Sequence, residues 1–240
     1  MLIESINNEK AKYWRKIRTN KYINEYKEYI VEGEHLVEEA IKSGKAKTLI
    51  VLEGYNYESK LETYIVNEKV MTSISLLKTI PKIMCVVKLE NIVSDYGKKI
   101  VILDDVQDPG NVGTLIRTAY AFNFSAVVLS PNSANLYNDK VIRASQGMIF
   151  HLNIINEDIN SIIPKLKNKG FKIYSTLMNG RITPEEINDE KFAFILGNEG
   201  SGIREEIKKM CDSSIKIPIN KNCESLNVAI TGAIIMYIKR

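Results

Sequence analysis

From Lys99 onward the chain repeats one pattern: a short run rich in β-branched and aromatic residues, then a longer stretch of helical character. The runs are IVILDDV, SAVVLS, FKIYSTL, FAFILG and SIKIPI. They are nearly continuous in apolar residues instead of alternating, which suits strands covered on both faces. Strands of that kind separated by helical segments predict an α/β domain on a mostly parallel sheet. Open sheets of this type bind ligands in loops beyond the carboxyl ends of their strands, so chemistry is to be sought at the strand exits.

Ahead of this region the signals are shorter. EHLVEEAIKSG sets Leu36, Val37, Ala40 and Ile41 on one helical face and stops at Gly44. KTLIVLE and KIMCVVKLE are β-rich, with ETYIVNEKVMTSIS between them. Around ENIVSDYGKK the pattern lapses into polar residues, which predicts two domains, residues 1–94 and 99–240. At 240 residues and 45% hydrophobic content, both can own a core. The longest apolar stretch, Val228 to Ile238, contains Thr231 and Gly232 and is too short to span a bilayer. The N-terminus has no apolar signal-peptide core, and Cys85, Cys211 and Cys223 show neither disulfide nor metal spacing. These features predict a cytoplasmic protein with reduced thiols, no membrane segment and no metal.

Three strand exits stand out. In the first, Asp108-Pro109-Gly110-Asn111 is turn chemistry, followed by a stripe of Val112, Leu115, Ile116, Ala119 and Phe122 at helical spacing. Arg117 falls opposite that stripe, as an ordinary exposed arginine or one presented to a ligand. The second exit, LGNEGSGI, has three glycines in six residues but neither phosphate-binding glycine pattern. Glu199 at its centre would repel a phosphate, so a tight turn, a nucleoside without phosphates or a cationic ligand suits it better. The third, IPINKNCESLNVAIT, leads through Ser225 as a candidate N-cap into a helix apolar almost all round. Such a helix is buried in its own domain or against a second subunit.

Charge adds one local feature. Net charge is only +4, but Lys10 to Lys21 holds six Lys or Arg and no acid. That cluster is a solvated helix face or an RNA contact through Arg15, Lys16, Arg18 and Lys21.

The three exits, in this order, resemble the motifs of the SpoU (TrmH) family of S-adenosylmethionine-dependent RNA ribose 2'-O-methyltransferases. DPGNVGTLIRTAYAF is similar to motif 1, LGNEGSGI to motif 2 and IPINKNCESLNVAIT to motif 3, with VIRASQGMIFHLNI a shared segment between the first two. YIVEGEHLVEEAIKSG resembles the start of the small L30e-like substrate-binding domain. Ile219 and the NVAIT run depart from the commoner motif 3 residues by apolar or small changes.

The resemblance implies an L30e-like α/β domain followed by a SPOUT-type α/β domain whose C-terminal segment threads a trefoil knot, and a homodimer. It implies S-adenosylmethionine held around Gly197, Ile217 and Leu226, with Thr176, Leu177, Asn198 and Gly202. It makes Asn111, Arg117, Glu199, Ser225 and Asn227 the catalytic candidates, and RNA, ribosomal more than transfer RNA, the partner. Neither His35 nor His151 sits at a motif exit, so the usual neutral-pH base is missing. A guanidinium keeps its proton throughout the working pH range and is a poor base, and Arg117 suits a role as a fixed positive charge on the ribose-adjoining phosphate and developing alkoxide. Two other classes remain at this stage: an RNA-binding assembly factor of the same fold without catalysis, and a nucleotide-dependent oxidoreductase, which lacks its glycine fingerprint here.

Overall fold

The computed structural model describes residues 2–89 and 96–240. The chain divides into two compact units, Met1–Asn91 and Ile92–Arg240. Most of the polar lapse expected between domains falls on residues 90–95, which lie outside the described residues.

The first unit runs β1 (Leu2–Ile3), α1 (Glu9–Lys16), α2 (Asn20–Tyr26), β2 (Glu28–Glu32), α3 (Glu34–Lys42), β3 (Ala46–Leu52), β4 (Glu62–Val66), α4 (Glu68–Ile74) and β5 (Ile83–Lys88). Its mixed sheet has the order β1-β4-β3-β5-β2. The β-rich runs become β3 and β5, which pair antiparallel at its centre. Ala11, Trp14 and Ile17, spaced at three residues, bury one side of α1 against Val70, Met71 and Ile74 of α4 and the sheet residues Ile50 and Met84.

The second unit runs β6 (Lys99–Asp104), α5 (Pro109–Ala121), β7 (Ala126–Leu129), α6 (Asp139–Ala144), β8 (Asn153–Asn156), α7 (Ile159–Asn168), β9 (Lys172–Thr176), β10 (Phe192–Gly197), α8 (Glu205–Met210), β11 (Ser213–Ile215) and α9 (Val228–Ile238). Every described pairing is parallel, in the order β11-β9-β10-β6-β7-β8. The residues of β10 from Phe192 to Leu196 are at most 2% exposed, which explains its unbroken apolar run. Ile100, Ile102, Ala193 and Ile195 face Ile159, Ile162, Ile163 and Leu166 of α7 in the main core.

Two glycines let helices approach each other. A Cβ on Gly113 would lie 2.5 Å from the Val141 carbonyl of α6, and one on Gly232 would lie 2.4 Å from Leu115 of α5. The final helix therefore rests directly on the first helix of its unit. Its burial is one-sided: Gly232, Ile235 and Met236 are inside, while Ile230 and Tyr237 are about half exposed. Its N-cap is Asn227, not Ser225, because the Asn227 amide oxygen accepts from Ala229 and Ile230 N–H.

Candidate active site

The β6 exit is built first from its own turn. Asp108 caps α5 by accepting the Asn111 N–H at 2.9 Å, and Pro109 takes the first helical position, where no N–H is needed. Lys140 pairs with Asp108 at 2.9 Å, and that hydrogen bond foremost holds the Asp108 carboxyl below its ordinary range.

Glu199 fastens this turn to the β10 exit. Its carboxylate accepts from the Gln107 N–H at 3.1 Å, the Asp108 N–H at 3.2 Å and the Asn111 side-chain amide at 3.0 Å. Partial burial alone would raise its pKa; the hydrogen bond from Asn111 and those from backbone N–H groups outweigh it, and the net shift is downward. The residue is therefore an anion at neutral pH.

Asn227 joins the third exit to the other two. Its amide nitrogen donates to the Asn111 oxygen at 3.2 Å, while its own oxygen accepts the α9 N–H groups. The result is a one-way chain: α9 N–H to Asn227, Asn227 to Asn111, Asn111 to Glu199. The orientation of each amide is fixed at both ends, and the chain ends on a charge that can only accept.

Beside this chain lies a cavity of about 530 Å³, within the range of small-molecule sites. Its walls come from the loops after β9 and β10 and from the segment between β11 and α9. All seven residues expected around the cofactor line it: Thr176, Leu177, Gly197, Asn198, Gly202, Ile217 and Leu226. Glu199, Ser225 and Asn227 reach it too, while Asn111 touches it through Glu199 and Asn227. Arg117 stands apart. It is exposed on α5 and is absent from the lining.

Several site features were not foreseen. Met178, Ile219 and Ile235 add apolar wall, and Thr231 adds a hydroxyl-bearing side chain. Asp104, fully buried at the end of β6, pairs with the Arg204 guanidinium at 2.7 Å and accepts the Arg204 N–H at 2.9 Å. Arg204 is the residue before α8, which starts at Glu205. The next residue, Asp105, has a φ of +58°, and Ser130 holds its carboxylate while Asn198 donates to its carbonyl at 2.8 Å. The only outward signal was an acidic pair at a strand end. A Cβ on Gly197 would lie 2.3 Å from the Gly202 and Ile203 backbone, so the second exit folds back on itself there.

The basic cluster of the first unit does not behave as one surface. Arg18 is turned inward, its side chain 9% exposed and paired at 2.7 Å with Glu32, itself 2% exposed. Arg15 donates to the Ile6 carbonyl at 2.7 Å and to Ser73 at 3.1 Å. Both guanidiniums are committed within the fold, which removes Arg18 and discounts Arg15 as RNA contacts. Lys16 and Lys21 are exposed.

Family comparison decides the lineage. Residues 98–237 match the model of the SpoU rRNA Methylase family, and residues 8–85 match the MRM3-like substrate binding domain. The chain belongs to the SpoU family. A Bacillus subtilis relative, 23S rRNA (guanosine(2553)-2'-O)-methyltransferase RlmP, is 38% identical over 98% of this chain and 97% of its own. The crystal structure of an AdoMet-bound rRNA methyltransferase from Sinorhizobium meliloti superposes with a TM-score of 0.86 at 25% identity, covering 99% of this chain and 96% of that one. The SpoU methyltransferase AviRb from Streptomyces viridochromogenes, at 19% identity, has a TM-score of 0.86 over 97% of both chains and attests the fold alone. The α/β domain is thus of the SPOUT type, preceded by a small substrate-binding domain.

No helix among the described residues is long and apolar enough to cross a membrane. Also among the described residues, no group of three or more His, Cys, Asp or Glu is placed to hold a metal ion.

Proposed function

We propose that this protein transfers a methyl group from S-adenosylmethionine to a ribose 2'-hydroxyl of 23S ribosomal RNA. The observation that carries this is the meeting of the Asn111–Glu199–Asn227 chain with the adjoining cavity, in a SpoU-family chain. The cavity suits the donor chemically. Leu196, Ile217, Leu226 and Ile235 offer apolar walls for an adenine, and the Gly197–Gly202 loop brings backbone polar groups within reach. Anionic Glu199 at the rim disfavours phosphate and complements a positively charged sulfonium. When bound, the donor supplies an electrophilic methyl group.

The chain's own residues do the rest. Thr176, Leu177, Gly197, Asn198, Gly202, Ile217 and Leu226 hold the donor. Asn111 and Asn227, fixed in direction by Glu199 and by α9, present amides to the ribose, and Ser225 adds a hydroxyl at the rim. Arg117, exposed and cationic, binds the phosphate beside the target ribose and stabilises the 2'-oxygen as it takes the methyl group from the sulfonium and its proton passes to solvent water.

The first unit binds RNA, with Lys16 and Lys21 as its contacts from the basic segment. The enzyme works as a homodimer in the cytoplasm; exposed Tyr120, Ile230 and Tyr237 on α5 and α9 support a subunit interface there. The C-terminal segment threads a trefoil knot, a reading supported by the chain's place in the SpoU family.

The test is methylation of a 23S rRNA transcript spanning guanosine 2553 with labelled S-adenosylmethionine, mapped by resistance of the 2'-O-methylated linkage to alkali. Donor-dependent label at a ribose 2'-oxygen is expected. RNA binding with neither S-adenosylmethionine binding nor methyl transfer would make the protein a non-catalytic RNA binder.

A further inference from the structure

The first unit carries two stacked tyrosine pairs, and their surroundings differ in charge. Tyr22 and Tyr26, one turn apart on α2, lie nearly parallel, with ring centroids 6.0 Å apart and planes at 19°. Tyr13 of α1 abuts Tyr26 edge-on at 5.4 Å, and its hydroxyl is tied to buried Glu28. The stack is thus fixed from beneath, while Tyr26 keeps 41% of its surface in solvent. Lys16 and Lys21 hold their ammonium groups 5.6 and 5.4 Å from the Tyr22 centroid. Tyr55 and Tyr57 form the second pair, with centroids 6.5 Å apart. Lys82 lies 5.4 Å from the Tyr55 centroid, but the carboxylates of Glu34 and Glu38 help to raise the pKa of both hydroxyls.

An exposed, braced aromatic stack flanked by exposed cations has the parts needed to hold unpaired nucleotides: a π-face for the base and ammoniums for the flanking phosphates. The carboxylates around the second pair make it the poorer site for a polyanion.

We propose that α1 and α2 form an RNA-docking platform on which an unpaired base of the substrate stacks against Tyr22 and Tyr26, with Lys16 and Lys21 on the adjoining phosphates. This rests on the RNA-directed function proposed above and adds to it the kind of RNA feature the first unit selects: unpaired bases over duplex. The lysines leave the Tyr22 face for the phosphates as the base arrives.

The test uses the full chain and three probes: the 23S rRNA transcript spanning guanosine 2553, a 20-nucleotide oligo(U), and a 20-base-pair RNA duplex. Tyr22→Ala with Tyr26→Ala is expected to weaken transcript and oligo(U) binding about ten-fold or more, with less than two-fold effect on the duplex. Tyr22→Phe with Tyr26→Phe keeps wild-type affinity, since the ring faces remain. Lys16→Gln with Lys21→Gln lowers the slope of log affinity against log salt by about 1.4, at about 0.7 for each single-strand phosphate contact. Melting curves and S-adenosylmethionine binding report folding; if Tyr26→Ala unfolds the unit, Tyr22→Ala alone decides. Unchanged oligo(U) affinity in the alanine variant, or equal losses on oligo(U) and duplex, would overturn the platform. Methylation of the transcript is scored separately, so a wild-type protein that binds oligo(U) through these tyrosines yet transfers no methyl group defeats the function and leaves the platform standing.

Discussion

The strand exits of the second unit and the basic segment of the first are both dense in polar residues, yet their side chains end in opposite situations. At the exits, Asn111, Glu199 and Asn227 bond to one another across three loops and stay at the surface beside a cavity. In the basic segment the charges part company: Arg15 and Arg18 turn inward to partners within the fold, and Lys16 and Lys21 remain outside. What separates the two is the partner each group finds. Buried Glu32 claims Arg18, and a carbonyl and a hydroxyl hold Arg15, whereas Arg117 on α5 is exposed.

The largest effect that would sharpen this contrast is on Arg117. Arg117→Ala is expected to cut the methylation rate by about 10²–10³-fold, the loss typical of removing one donor to a developing oxyanion. Donor affinity, followed by calorimetry, stays at the wild-type value. Partial rescue by Arg117→Lys marks simple electrostatics, and no rescue marks the planar fork. A wild-type rate in Arg117→Ala would return the residue to the ordinary surface.

Arg18 provides the opposite case. Arg18→Ala strands Glu32, 2% exposed, with only Ser75 and the Leu76 N–H to satisfy it. A loss of about 3 kcal/mol in urea unfolding of the first unit is expected, with an unchanged salt slope for RNA binding. A shallower slope in a variant of native stability would break the comparison.

The smallest effect belongs to Glu199. Its pKa is lowered on folding, so its contribution to stability is full above the unfolded value of about 4.3 and fades as pH falls through the lower folded value. Because the group is largely solvated, that contribution stays below about 1 kcal/mol. Glu199→Gln should therefore show a shallower loss of stability than wild type between pH 5 and about 3, followed by urea titration at each pH. Equal acid sensitivity would mean that the Asn111–Glu199 link does not depend on charge.

Much of the second unit was legible because burial on both faces writes itself into a strand as an unbroken apolar run, as in β6, β7, β9 and β10. The edge strand β8, NIIN, gave no such signal, since an edge is covered less and tolerates polar ends. In the first unit β2, EYIVE, was hidden by its terminal glutamates, both buried: Glu28 meets Tyr13 and Lys47, Glu32 meets Arg18. The same concealment explains the inward turn of Arg18. Its partner sits 14 residues on, in a strand the pattern did not reveal, so charge counting saw a cation without its anion. The cavity residues came through family motifs; the Asp104–Arg204 clamp, joining positions 100 residues apart, has no local signature at all.

The cavity's far wall, from Ile217 through Ile235, follows every strand of both sheets in the chain. During synthesis a ribosome therefore completes the sheet material, and the whole first unit, before it supplies the residues that close the cavity. A nascent chain halted after β11 already owns the strands of both sheets but lacks one wall of the cavity, so the cavity takes shape only once the segment through Ile235 has left the exit tunnel.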